Sequence, residues 1–171
     1  MHDPRKGYPV LRRGRYSAEN STYFLTICAT RPCAALSQTA LTDAIRRQYM
    51  AVEARGWWTV HCAVIMPDHL HLVVTLGNGA RLDESVRLLK GPLTPHLRDA
   101  GVRWQPSFFD HRLRREDNLA AVFRYVFLNP HRAGLVAEPE SWPGYFCRTQ
   151  DWEWFGPLVG GAEPEPEWLR D

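Results

Sequence analysis

Long apolar runs are absent from this chain: no stretch approaches the roughly 20 residues that a membrane-spanning helix needs. The basic start, Met1-His2-Asp3-Pro4-Arg5-Lys6, is not followed by the apolar core of a secretion signal. Both absences lead to the expectation of a cytoplasmic protein with no membrane partner. Cysteine is scarce and unpatterned. Cys28, Cys33, Cys62 and Cys147 show no Cys-x-x-Cys spacing, so neither a zinc knuckle nor a disulfide framework is indicated and thiols buried in the core are expected. No internal repeat is found. Lysine is nearly missing too, with only Lys6 and Lys90 present.

What stands in place of lysine is arginine. All but one of the 21 Lys and Arg residues lie within residues 1–150, against 13 of the 19 acidic residues. The body is therefore basic and the tail from Asp151 acidic, a split that the net charge of +2 conceals. Arginine grips phosphate as a bidentate fork and stacks on bases, so a basic, arginine-rich body suggests nucleic acid, although charge alone is equally compatible with a solvated surface. At 171 residues and 44% hydrophobic content the chain can bury one ordinary core. Residues 1–150 are read as one domain with a basic N-terminal arm, and 151–171 as an acidic, tryptophan-containing tail.

Periodicity predicts the elements. Thr22 to Cys28 is β-branched and aromatic, a first strand. Leu41 to Arg55 has helical spacing with Gly56 as its stop. Trp57–Met66 and His69–Leu76 form a hairpin through Met66-Pro67-Asp68. Arg81 to Ala100 is helical but should be kinked or interrupted at Gly91-Pro92. Trp104 to Leu113 reads as a fourth strand, and Glu116 to Leu128 as a helix capped by Asp117 or Asn118 and ended by Pro130 and Gly134. The order β-α-β-β-α-β-α predicts an α+β fold, a ferredoxin-like antiparallel sheet with helices packed on it. The remainder looks irregular, packing partly over the body.

The chemistry concentrates in two places. On a strand, His69 and His71 point to one face while Leu70 and Leu72 point to the other. Two imidazoles side by side make half a divalent-metal site, although a His-x-His pair by itself fits a purely structural role as well. In the last helix, Tyr125 and Asn129 are four apart and share a face. A tyrosine at the rim of an apolar stripe is commonly structural, but beside a metal site its phenol can act as a nucleophile toward phosphorus. Asn129 could then offer an amide oxygen to the metal, although Pro130 biases it away from helical geometry.

Met66-Pro67-Asp68-His69-Leu70-His71 resembles the His-hydrophobe-His motif of the single-tyrosine HUH transposases. Tyr125-Val126-Phe127-Leu128-Asn129-Pro130-His131-Arg132-Ala133-Gly134-Leu135-Val136 resembles the tyrosine helix of their REP-associated branch. Tyr23-Phe24-Leu25-Thr26, the block from Trp104 to His111, and Ser141-Trp142-Pro143 are similar to further blocks of that branch, so the resemblance spans roughly residues 8–146. It implies an HUH-endonuclease-like fold and a metal-dependent transposase that cleaves and rejoins single-stranded DNA at hairpin-forming palindromes. Tyr125 would form a 5′-phosphotyrosine intermediate, and His69, His71 and Asn129 would hold Mg²⁺ or Mn²⁺. Arg12, Arg13, Arg15, Lys90, Arg112, Arg114 and Arg115 are candidate contacts to the single-stranded or hairpin DNA. Trp57, Trp104 and Phe108 could stack on unpaired bases. Asp68 is expected to shape the turn and to bond, from outside the metal's own ligands, to a metal-bound histidine, and His111 to be structural or DNA-facing. The branch implies a monomer with its tyrosine in cis, a homodimer being the alternative.

Two other readings are open. A histidine-triad hydrolase would need a third histidine where Val73 stands. A domesticated hairpin-binding protein without cleavage activity would not need His69, His71 and Tyr125 together.

Overall fold

The computed structural model describes residues 17–30, 34–136, 142–161 and 165–169. The basic arm, with Arg12, Arg13 and Arg15, lies outside the described residues. Five strands form one antiparallel sheet: β1 (Thr22–Cys28), β2 (Trp58–Ile65), β3 (His69–Leu76), β4 (Phe109–Leu113) and β5 (Tyr145–Cys147), in the order β4-β1-β3-β2-β5. The helices are α1 (Thr39–Ala54), α2 (Leu82–Asp99), α3 (Leu119–Arg132) and α4 (Thr149–Phe155). The ferredoxin-like α+β fold expected from the element order is present. None of the helices among the described residues is long and apolar enough to cross a membrane.

Strand alternation builds two cores. Tyr23, Leu25 and Ile27 of β1 and Leu70, Leu72 and Val74 of β3 face Leu41, Ile45, Tyr49 and Val52 of α1 and Val86, Leu89, Leu93 and Leu97 of α2. Phe24, Val64 and Val73 face the other way, against Val122, Phe123 and Val126 of α3 together with Phe155 and Leu169. An irregularity between Val60 and Cys62 lets Val60 join the first core and Cys62 the second. Cys62 is fully buried, as the cysteine pattern predicted, whereas Cys28 and Cys147 are only half-buried.

Three expectations need correction. The helix α2 is not broken at Gly91-Pro92 but runs unbroken through Pro92 and Pro95. Pro92 withholds the N–H that would reach the Leu88 carbonyl, and the Gln48 side chain of α1 donates to that carbonyl instead, at 2.8 Å. Gln48→Leu should therefore leave the carbonyl unmet and lower stability by about 1–2 kcal/mol, read as a shift in the urea midpoint at constant slope.

Likewise, α3 does not end at Pro130 but continues to Arg132 and stops at Gly134, whose φ is +68°. Asn129 thus keeps helical geometry. The fourth strand is shorter than expected. Only Phe109–Leu113 pairs as a strand, and Trp104 makes an isolated bridge to Ala29. Pro106 has no N–H for a ladder, and the segment is pinned by other means: Gln105 N–H donates to the Cys28 carbonyl, and Lys90 Nζ to the carbonyls of Gln105 and Ser107.

Neither β5 nor α4 is legible in the residue pattern. Cys62 faces Cys147 and Val64 faces Tyr145, so β5 extends the sheet beyond β2. Gly144 permits this return, because a Cβ there would lie 2.4 Å from the Ile65 carbonyl oxygen.

Candidate active site

The two histidines and the tyrosine meet on the sheet face covered by α3. The register sets Thr26 of β1 and Val64 of β2 on either side of His71, and Cys28 beside His69. The imidazoles converge, with His69 Nε2 and His71 Nε2 3.1 Å apart. Their outer nitrogens are engaged. Asp68 Oδ1 is 2.7 Å from His69 Nδ1, and Thr26 Oγ1 is 2.9 Å from His71 Nδ1. A carboxylate beside Nδ1 favours the tautomer protonated there, which leaves Nε2 bare.

His71 is buried, and burial together with the neighbouring His69 holds its pKa well below the ordinary histidine value. It is neutral at physiological pH. A proton on Nδ1 of each ring would set two lone pairs face to face at 3.1 Å, an arrangement that a shared cation would relieve. Two nitrogens bound at right angles to one ion at about 2.1 Å stand about 3 Å apart, so this donor pair fits a divalent ion. Among the described residues no cluster of three His, Cys, Asp or Glu side chains could complete such a site.

Helix α3 carries Tyr125 over this pair. Asn118 starts the helix by accepting from the Ala121 N–H, and Val122, Phe123 and Val126 seat it on the second core. The Tyr125 ring lies edge-on to His71, with centroids 5.4 Å apart, and edge-on to Phe24 at 6.0 Å. Phe24 in turn stacks on His71 at 5.1 Å. Burial raises the Tyr125 pKa above the ordinary phenol value, while a hydrogen bond with Asn129 and the charge of Arg132 oppose that rise. The Arg132 guanidinium sits 5.2 Å from the centroid of the Tyr125 ring.

The structure brings together His69, His71 and Tyr125, and Asn129 is hydrogen-bonded to Tyr125. It keeps Arg112, Arg114 and Arg115 exposed at the end of edge strand β4 and in the turn after it, with Arg114 3.7 Å from Glu116. Lys90 is elsewhere, anchoring the Gln105–Ser107 segment.

Sequence reasoning assigned no role to Thr26, Arg132 or Trp168. Thr26 is revealed only by strand register. Arg132 pairs with Glu165 of the tail, and Trp168 stacks on His111 at 3.7 Å and tilts against Phe24 at 5.5 Å. The acidic tail therefore packs on the same face as the tyrosine.

The chain is similar to REP-associated tyrosine transposases, and its fold is that of a solved protein of that name. It is 25% identical over 130 residues to the REP-associated tyrosine transposase of Escherichia coli (strain K12), covering 75% of this chain and 78% of that protein. A candidate REP-associated tyrosine transposase of Haemophilus influenzae is 30% identical over 94 residues, which are 46% of this chain and 53% of that protein. A solved structure of a REP-associated tyrosine transposase bound to a REP hairpin superposes with a TM-score of 0.67 at 22% identity, covering 88% of this chain and 87% of the other. No family profile matches the chain.

Proposed function

We propose that this protein is a metal-dependent single-strand DNA transposase that cuts and rejoins strands at hairpin-forming repeats. The observation that carries the reading is the Tyr125 phenol held on α3 beside two convergent imidazoles. In this reading Tyr125 Oη attacks a phosphodiester phosphorus, the bond from phosphorus to the 3′ oxygen breaks, and the 3′-hydroxyl leaves. The product is a 5′-phosphotyrosine, which a second 3′-hydroxyl can attack to join strands without an external energy source. His69, His71 and Asn129 would hold Mg²⁺ or Mn²⁺, whose contribution is to polarise the phosphate.

The chain's own residues do the rest. Asn129 and Arg132 both favour the phenolate and offset part of the cost of its burial. Phe24 fixes the planes of the His71 and Tyr125 rings. The arm arginines Arg12, Arg13 and Arg15, with Arg112, Arg114 and Arg115 at the exposed sheet edge, would meet hairpin phosphates. Such a unit would occupy residues 1–150, with the acidic tail 151–171 packed against it.

The test is a denaturing gel of labelled single-stranded DNA taken from the repeats beside the gene, incubated with Mn²⁺ or with EDTA. A protein–DNA adduct that forms only with the metal is expected. Hairpin binding with neither adduct nor cleavage on that DNA would favour the domesticated binding protein instead.

Thr26 supplies a finer check. Thr26→Val keeps the shape but removes the hydroxyl that orients His71, so the Mn²⁺ concentration for half-maximal cleavage should rise about 10- to 100-fold. The melting temperature should stay nearly constant. An unchanged metal requirement would show that Thr26 does not position the ring.

A further inference from the structure

Cysteine is scarce in this chain, yet two of the three cysteines among the described residues stand opposite one another. Cys62 of β2 is the register partner of Cys147 of β5. The ladder fixes the kind of pair. Arg148 N–H donates to the His61 carbonyl at 2.8 Å, and Ile65 N–H to the Gly144 carbonyl at 2.9 Å. Antiparallel pairs alternate, so Cys62 and Cys147 occupy a site without backbone hydrogen bonds to each other. Residues opposed at such a site have Cα atoms about 4.5 Å apart, inside the range of about 4.4–6.8 Å that a disulfide bridges. Both thiols are free in this structure.

Their surroundings differ. Cys62 is fully buried in the core beneath α3, with Val64, Val122 and Phe155. Cys147 packs against the same core but is only half-buried, so a small reagent meets it first. Burial, reinforced by Cys147 and Asp151, holds the Cys62 thiol well above its ordinary range. Burial also pushes the Cys147 thiol up to about 11, although a hydrogen bond with the Tyr145 side chain acts the other way. Both are neutral thiols at pH 7, and such a pair answers sustained oxidant rather than a brief pulse.

The position gives the pair leverage. The three residues of β5 reach the sheet only through β2. Helix α4 begins two residues after Cys147, and its Phe155 packs on Phe123 and Phe127 of α3 at 5.5 and 6.4 Å. A covalent bond between β2 and β5 fixes the support of the helix that carries Tyr125.

We infer that Cys62 and Cys147 form a redox-active dithiol that hydrogen peroxide closes to a disulfide. The Cys147 sulfur attacks one peroxide oxygen and the O–O bond breaks, giving a sulfenic acid and, with the thiol proton, one water. The Cys62 sulfur then attacks that sulfur, forming the S–S bond and expelling hydroxide, which leaves as water with the Cys62 proton. The thiols lose two electrons and the peroxide gains them. This chemistry uses neither the histidine pair nor Tyr125, so it stands apart from the proposed DNA reaction.

The test treats the full chain, reduced and freed of reductant, with millimolar hydrogen peroxide. Its intact mass should fall by two hydrogen atoms, and a non-reducing peptide map should show the Cys62 and Cys147 peptides joined. The melting temperature should rise by about 5–10 °C, because the bridge closes a long loop in the unfolded chain, and dithiothreitol should reverse the rise. Cys147→Ser should melt near the reduced wild type and show neither response to peroxide. Oxidation of Cys147 to a sulfinic acid while Cys62 stays a free thiol would overturn the inference. Joined peptides that hold Cys28 or Cys33 in place of either partner would overturn it too.

Discussion

Tyr125→Phe should abolish the covalent adduct and lower strand cleavage by about 10⁴-fold or more, the scale seen when a covalent nucleophile is removed. Hairpin binding should change by less than about threefold, because the lost hydroxyl would be one atom in the extended surface proposed to meet the phosphates. The variant should fold normally. The ring retains its edge contacts with His71 at 5.4 Å and Phe24 at 6.0 Å, and only the hydrogen bond with Asn129 is lost. Binding and cleavage assays on one preparation separate the two effects. Cleavage that survives with no adduct would mean that water, not the phenol, attacks phosphorus.

His71→Ala should reduce cleavage nearly as far, by about 10³-fold, since it removes one of only two convergent imidazole nitrogens. This substitution also acts on stability. His71 is 4% exposed and stacked on Phe24, so its deletion opens a cavity and leaves Thr26 without its side-chain partner, at a cost of about 2–4 kcal/mol. His69→Ala gives the control. Its side chain is 22% exposed, so it should lose cleavage to a similar degree with a much smaller fall in melting temperature. If His69→Ala retains full activity, the pair is structural and the metal assignment fails.

The corrections to the expected elements share one cause. Proline at 92 and 130 is read locally as a helix breaker, because it lacks an N–H and crowds the preceding turn. At position 92 a residue from another helix, Gln48, meets the freed carbonyl, and nothing near Pro92 in the sequence announces that. At position 130 the helix is held by what packs against it, with Pro130 itself buried. The three residues of β5 are too few to carry a periodic signal, and they form a strand only because β2 has a free edge beside them.

For the candidate site, local pattern supplied the parts. The two-residue period put His69 and His71 on one face, and the four-residue helical spacing put Tyr125 and Asn129 on another. Neither period says that the two faces meet. That required β3 to lie inside the sheet and α3 to cover the side that α1 and α2 leave open. The ring contact between His71 and Tyr125, the Thr26 hydroxyl on His71 and the charge of Arg132 over Tyr125 all follow from that packing. The seat of Trp168 on His111 does too.

The sequence by itself determined the α+β class, the strand that carries the histidines, the helix that carries the tyrosine and the arginine-rich character of the surface. These are properties of neighbours along the chain, governed by side-chain alternation, helical spacing and composition. Only the tertiary structure decided how close the imidazole nitrogens come, which side chains hold them and what shields the phenol. Most of those features join residues tens of positions apart, and strand register and helix packing bring such residues together.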